Sequence, residues 1–421
     1  MTGRFHMPPR RPRPLRLLAR LVALLGSSGE AVRHSLVALA LNSTTSLVAG
    51  AMLGSITDTF REFPGLLVLV PAAIGLRGNV FSALGNRLST AIHAGIFRLT
   101  LRRTTLMGQN IEASLLLTLS MSLLLAVVAK VVAVGLGIMG TTSILDLAMI
   151  SILGGLLASV AVLAATVFLA AGSVRYGWDL DNVTAPLVST LGDVLTIPGL
   201  WLATLVVRVD AVSALFGPLL GATAVAALVS GWTSRRKILR QVVRESAPIL
   251  LVAGCLSTMA GIAIEKRLEV FSQVPALLVL LPAFTSSAGA LGGILSSRLS
   301  TKLHLGLMAP LPLPGREARL DGALVFLLGA PIFLVNGLGA HLVGSLLGHD
   351  SPGVGGMVAA SMIGGSFAVA FVVALAYYAT IAALRLGVDP DTYGIPVVTS
   401  AVDFVGAVAL IVTIVTLNIV R

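Results

Sequence analysis

The sequence predicts an all-α polytopic membrane protein: two five-helix repeats in parallel orientation, joined by one extra transmembrane helix. Three observations carry this. Only 11% of the 421 residues are charged and 56% are hydrophobic, against roughly 25% charged in soluble domains. Apolar stretches of about 20 residues, enough to cross a hydrocarbon core of ~30 Å, recur from residue 35 to the C-terminus. And the chain repeats itself at a nearly constant offset.

The repeat decides the architecture. Residues 64–95 align without gaps to 275–306, with 15 identities in 32 positions, including Pro64/Pro275, Pro71/Pro282, Gly78/Gly289 and Arg87/Arg298. A second pair, DLDNVTAPLVSTLGD at 179–193 and DPDTYGIPVVTSAVD at 389–403, recurs at an offset of 210 against 211 for the first. Two signals at one spacing mean duplication of a whole unit.

Each element can then be placed. Residues 1–34 form a basic cytoplasmic segment with a short interfacial helix, since the apolar run at 17–25 is too short to span. Repeat 1 (35–208) holds spans near 35–57, 64–86, 112–138, 146–173 and 184–208. A linker helix at 211–232 and a basic loop fill 209–245. Repeat 2 (246–421) holds spans near 246–264, 275–297, 320–346, 355–384 and 394–420. Five is odd, so direct fusion would invert the second unit, and the linker helix restores its orientation. Eleven spans result.

Charge sets the topology. With the N-terminus inside, 22 of the 29 Lys and Arg fall in cytoplasmic segments and 5 outside, while Arg77 and Lys130 lie within spans. That bias predicts a cytoplasmic N-terminus in the cell membrane. It also removes nucleic acid as the reason for a net charge of +11. Trp232 beside Ser-Arg-Arg-Lys suits an interfacial anchor. The lone Cys255 sits in an apolar segment, where a packing role is the commoner one. Apposing the two units across a pseudo-twofold along the membrane normal creates a central seam, the natural place for a pathway.

Two spans of each unit face that seam in this reading. The second has a mid-span proline followed by glycine- and serine-rich sequence, with Arg77, Gly78 and Asn79 in one copy and Gly289 in the other. Such runs weaken a helix and expose carbonyls where water or protein covers them; close packing through small residues is the other explanation. In the fifth span Pro186 and Pro396 suit the first turn. Asp193 and Asp403 follow seven residues later, ~10 Å deeper. Ser189 and Thr190, like Thr399 and Ser400, share the face of their aspartate. A carboxylate and two hydroxyls form a hard-oxygen set suited to magnesium, calcium or manganese. The competing role is a structural hydrogen bond to a neighbouring helix, which two symmetric copies facing one seam disfavour. Asp179, Asp181, Asp389 and Asp391 form D-x-D pairs at the cytoplasmic mouth, where cation binding and helix capping explain them equally well.

His93 and His304 repeat at the inner ends of the second spans and read as packing or surface residues. No His/Cys cluster suggests zinc and no P-loop suggests nucleotide hydrolysis. No cofactor is expected beyond a transported cation. The first functional reading is therefore divalent-cation transport, as a channel or as a sodium- or proton-coupled exchanger. The reading from another class is an intramembrane enzyme using an aspartate pair.

The motifs resemble those of the MgtE-type magnesium transporter family, in its two-repeat solute-carrier-like branch. The matching residues are the P-x6-PA…GN stretch through Asn79 with the following R-L-S-T, and the D-x-D…P-x6-D stretches ending at Asp193 and Asp403. The resemblance covers nearly the whole chain from about residue 30. It implies a pore between second and fifth helices whose deep aspartates recognise a largely hydrated Mg2+, with Mn2+, Co2+ or Ca2+ as other candidates. Two subunits build that pore in single-repeat members; here two halves of one chain would, so a monomer suffices. Residues 1–34 leave no room for the cytosolic sensing domains of bacterial members, so gating through them is not expected. Ala290 stands opposite Asn79, so the filter would be asymmetric. Arg77, opposite Ala288, could pair with Asp193 or Asp403.

Overall fold

The computed structural model describes residues 29–138, 140–176, 180–209, 212–385 and 395–419; of residues 29–34, 180–187, 189, 304 and 395 it describes only the backbone. The first unit contains α1 (Gly29–Ser55), the short α2 (Thr57–Glu62), α3 (Leu66–His93), α4 (Leu106–Gly135), α5 (Ile144–Tyr176) and α6 (Leu180–Val207). The linker is α7 (Val212–Thr233). The second unit repeats the order as α8 (Lys237–Glu265), the short α9 (Leu268–Gln273), α10 (Ala276–His304), α11 (Arg316–Leu346), α12 (Gly353–Arg385) and α13 (Ile395–Thr416). Among the described residues eleven helices are long and apolar enough to cross a membrane, the number expected from the repeat and its linker. The chain is an integral membrane protein.

Burial divides these helices into layers. In α10, 72% of the most apolar window is buried against other helices, compared with 17% in α7. Leu277, Leu278, Val279 and Leu280 are consecutive and all buried, as are Leu67, Val68, Leu69 and Val70 in α3. Four consecutive helical positions point all round the axis, so α3 and α10 form the centre. Leu215 and Leu219 on α7, Phe168 on α5 and Phe367 on α12 are exposed large apolar side chains. In water they would be liabilities; in a bilayer they meet lipid.

The two units interlock. Helix α1 packs on α10 and α11 of the second unit, and α8 packs on α3 and α4 of the first. Each first helix therefore lies in the other unit's bundle. Glycine permits the crossing: a Cβ on Gly50 would overlap the carbonyl oxygen of Val279, and one on Gly261 would overlap that of Val68. Both pairs obey the 211-residue offset, so the exchange is part of the pseudo-symmetry rather than a local accident.

Several sequence boundaries move: the second-span helices α3 and α10 run on to His93 and His304, and α4 begins at Leu106. Helix α8 begins at Lys237 rather than near 246, because its first turns are basic and fall below a hydropathy threshold while still forming helix. There the Arg244 guanidinium lies 5.8 Å from the Trp232 ring centre and its Nε donates to the Trp232 carbonyl at 3.0 Å. The segments between first and second spans contain the short helices α2 and α9. The polar ends are tied down by ion pairs. Arg236 grips Glu112 with both terminal nitrogens, at 2.5 and 2.6 Å. At the opposite end Arg208 pairs with Glu62, its Nε at 2.9 Å.

Candidate functional site

A cavity of about 730 Å³ lies between the units, and its walls repeat: Pro71 with Pro282, Gly78 with Gly289, Asn79 with Ala290, and Asp193 with Asp403. The glycine- and serine-rich stretches do not unwind. Helices α3 and α10 run unbroken through them, which corrects the expectation of exposed carbonyls at that depth. Their small residues instead give the cavity width. Among the described residues no atom lies within 4 Å of where a Cβ on Gly293 would sit, and the nearest to one on Gly289 is Thr399 Cβ at 3.8 Å.

The aspartates come from equivalent helices, α6 and α13, and share this cavity. Asp193 is 6% exposed. Its Oδ2 accepts from Ser46 at 3.4 Å and from Ser286 at 3.3 Å. Asp403 is less enclosed, and its Oδ2 accepts from Ser257 at 2.9 Å. Ser46 and Ser257 are repeat partners, so one hydroxyl from each first helix orients each carboxylate. Asn42 also lines the cavity, its Oδ1 3.1 Å from Ser286 Oγ and its buried Nδ2 without a partner among the described residues. Turning that amide over lets Nδ2 donate to Ser286 and presents the oxygen to the cavity, and the two orientations are nearly isosteric.

The other sequence-predicted residues distribute unevenly. Thr399 and Ser400 line the cavity beside Asp403. Thr190 is buried against α1, its hydroxyl 3.4 Å from that of Thr45. The side chain of Ser189 and that of Asp181 lie outside the described residues, as do Asp179, Asp389 and Asp391 altogether. Arg77 corrects the sequence reading. Its side chain turns away from the cavity into the first unit's own bundle: Nη1 donates to the Ala73 carbonyl at 2.5 Å and Nη2 to Ser122 Oγ at 3.2 Å. It pairs with neither aspartate, because position 77 lies about 100° around the helix from the cavity-lining Gly78.

At the end of the molecule carrying the basic loops the lining is polar, with Asn86, Arg87 and Glu245; at the other end it is apolar, with Leu53, Leu67 and Ile264. Among the described residues no three His, Cys, Asp or Glu side chains group to hold a metal. Two carboxylates surrounded by neutral hydroxyl and amide oxygens suit a hard cation that keeps part of its water shell.

A family model described as MgtE, divalent cation transporter, matches residues 70–203 and again residues 281–413. The chain belongs to the MgtE family. Each match contains the second-span proline, Pro71 or Pro282, with the glycine-rich stretch after it, and one deep aspartate, Asp193 in the first and Asp403 in the second. The chain is also similar to solute carrier family 41 member 2 of Homo sapiens, 26% identical over 408 residues that are 91% of this chain and 70% of that protein. For the Xenopus laevis member 2 the figure is 26% over 298 residues, 67% of this chain and 53% of that one. A Rattus norvegicus member 3 is 24% identical over 281 residues, 64% of this chain and 59% of its own. No solved structure matches. Membership of a divalent cation transporter family removes the aspartate-pair enzyme reading.

Sequence reasoning missed Asn42, Ser46, Ser257 and Ser286 in this MgtE-family cavity. Two signals were present: the polar run Asn-Ser-Thr-Thr-Ser at 42–46 inside an apolar span, and the match of Ser46 with Ser257 at the repeat offset.

Proposed function

We propose that this protein carries Mg2+ across the plasma membrane through the cavity between its two repeats, with Asp193 and Asp403 holding a partly or fully hydrated ion. The observation that supports this best is the convergence of one aspartate from each repeat on one cavity, whose wall also carries the neutral polar side chains of Asn42, Asn79, Ser286, Thr399 and Ser400 among apolar residues. Two carboxylates without a cation repel, and a divalent ion between them relieves that. Neutral hydroxyls and amides at the wall exchange hydrogen bonds with bound water rather than stripping it, which suits an ion that dehydrates as reluctantly as Mg2+. The cavity arises within one chain, so a monomer is competent to transport.

The Lys and Arg distribution puts the N-terminus and the basic loops in the cytoplasm. On that orientation the polar end, with Asn86, Arg87 and Glu245, faces the cytoplasm and the apolar end faces outward. A polar cytoplasmic end of the cavity supports entry of the hydrated ion from that side. The D-x-D pairs at 179–181 and 389–391 would add negative charge at the same mouth.

Uptake into proteoliposomes of Mg2+, Ca2+, Mn2+ and Co2+ tests the reading, with wild type compared to Asp193→Asn and Asp403→Asn. Each variant is expected to lose most uptake, on the order of a hundredfold, as befits removal of one of two charges that hold the ion. Full uptake in both would overturn the assignment. Imposed sodium and proton gradients in the same vesicles distinguish an exchanger from a channel.

A further inference from the structure

We propose that the charge of Arg77 sets how tightly the Asp193 half of the cavity holds its cation, and so makes the two halves unequal steps of one path. The inference rests on reading the cavity as the cation path. Three observations carry it.

The first is that Arg77 is an enclosed cation without an acid. It is 0% exposed. Its acceptors are the Ala73 carbonyl, Ser122 Oγ and, at 3.5 Å, the Ser151 carbonyl. Its Nε has no acceptor. No carboxylate lies within ion-pair distance of it among the described residues. Guanidinium keeps its proton in proteins, so a full positive charge stands inside the helix bundle.

The second is its place. Arg77 precedes the cavity-lining Gly78, and α6 touches α3 at this level. A Cβ on Gly192 would lie 3.4 Å from the Gly78 nitrogen and 3.5 Å from Arg77 Cβ. Gly192 adjoins Asp193, so the turn of α6 that carries this carboxylate packs directly on the turn of α3 that carries Arg77. The charge lies behind the wall of the cavity rather than in it.

The third is that the second unit fills the same space without charge. Ser151 Oγ donates to the Ser122 carbonyl at 2.7 Å, and its counterpart Ser361 donates to the Phe333 carbonyl at 2.6 Å. These bonds fix the two frames as equivalent. In the first frame a Cβ on Gly155 would overlap Arg77 Nη2; in the second, one on Gly365 would overlap the Phe333 ring. The hole beside the glycine is thus filled by Arg77 with Ser122 in one unit and by Phe333 with Ala288 in the other. An apolar filling is available to this fold, so packing alone does not require the arginine.

The consequence follows from electrostatics. Two aspartates alone give the site a double negative charge. Arg77 sets one positive charge behind the wall on the α3–α6 side, and the second unit has an alanine, Ala288, at the matching position. A transported ion must bind well enough to enter and weakly enough to leave, and a fixed positive charge behind one aspartate favours leaving.

The natural test is to transplant the second unit's solution into the first. Arg77→Ala combined with Ser122→Phe removes the charge and refills the hole, Arg77→Met removes the charge at similar volume, and Arg77→Lys keeps it. Each purified variant is checked for folding by size exclusion and thermal unfolding, then assayed for Mg2+ uptake across a concentration series. Both neutral variants are expected to half-saturate at Mg2+ concentrations on the order of tenfold lower, with a reduced maximal rate. Arg77→Lys is expected to stay near wild type. Folded neutral variants with wild-type half-saturation and rate would overturn the proposal. So would an Arg77→Lys protein that shifts as far as the neutral ones, since packing would then be responsible. Asp193→Asn and Asp403→Asn do not touch Arg77, so full uptake in both identifies failure of the cavity reading itself.

Discussion

Around Asp193 stand Asn42, Ser46 and Ser286; around Asp403, at the same repeat positions, stand Ala253, Ser257 and Gly75. Other contacts diverge in the same pairwise manner. Ser43 donates to Asn336, which in turn donates to Ser287 at 3.0 Å; the matching positions Gly254, Leu125 and Leu76 are apolar. Arg87 lines the cavity with Glu245, whereas its partner Arg298 is held by Asp321 at 3.0 Å and leaves the cavity to others. What the halves keep in common is the backbone crossing, the glycines that permit it and one serine–aspartate pair each. The two units therefore share the frame of the cavity and differ in the polarity of its two walls. Each pair can be exchanged between halves, which turns the comparison into experiments.

The largest effect belongs to what the halves share. Gly50→Ala and Gly261→Ala each push a methyl group into a backbone carbonyl, which no rotamer change relieves, so the helices must part. A loss of about 3 kcal/mol or more is expected for either, read as a lowered midpoint of thermal unfolding in detergent. Gly221→Ala on the peripheral α7, where an added Cβ meets nothing within 4 Å, is the control. It should leave the midpoint unchanged or raise it slightly, since alanine favours helix over glycine by about 1 kcal/mol. Tolerance of alanine at either crossing glycine would mean the exchange of first helices is not a tight contact.

The next effect separates the halves. Asp321 is 2% exposed and faces two cations, Arg298 Nη2 at 2.9 Å and Lys302 Nζ at 2.7 Å. Its counterpart in the first unit is Asn110, which bonds only within its own helix, to the Leu106 carbonyl at 2.9 Å. Asp321→Asn leaves Arg298 without its acid and Lys302 with only Glu317, 3.6 Å away, and should cost about 2–3 kcal/mol, below the full value for a buried pair because both cations reach solvent. Asn110→Ala should cost under about 1 kcal/mol. Equal losses at the two positions would show that the charge cluster adds nothing to the second unit.

How much of this was legible in the sequence depends on which physical rule writes each feature. The eleven helices were legible because a bilayer forces every span into a long apolar run, and Asp193 and Asp403 because an acid inside such a run is conspicuous. The exchange of α1 and α8 was not, since the same apolar pattern serves either neighbour. Only the recurrence of Gly50 as Gly261 at the repeat offset marks it. Arg77 was conspicuous by depth, but its direction depends on rotation about the helix, which neither span boundaries nor hydropathy define. The first turns of α8 were lost because Arg240 and Arg244 mask a helix whose other face is buried at Leu239, Val242 and Val243.

The smallest expected effect bears most directly on the cavity. Asn42→Ala with Ser286→Gly gives Asp193 the surroundings that Asp403 already has. The Ser286 hydroxyl that donates to Asp193 is lost and water can take its place, so apparent Mg2+ affinity should fall by about threefold to fivefold. The reverse exchange, Gly75→Ser, places a hydroxyl near Asp403, and there is room for it: a Cβ on Gly75 meets its nearest neighbour, Ser257 Oγ, at 3.6 Å. That variant should strengthen binding by a similar factor. If the first exchange weakens uptake and the second strengthens it, hydroxyl donors tune each aspartate independently of its half. If neither moves the half-saturation point, the polarity difference between the walls is silent in transport, and the charge of Arg77 is left as the main source of their inequality.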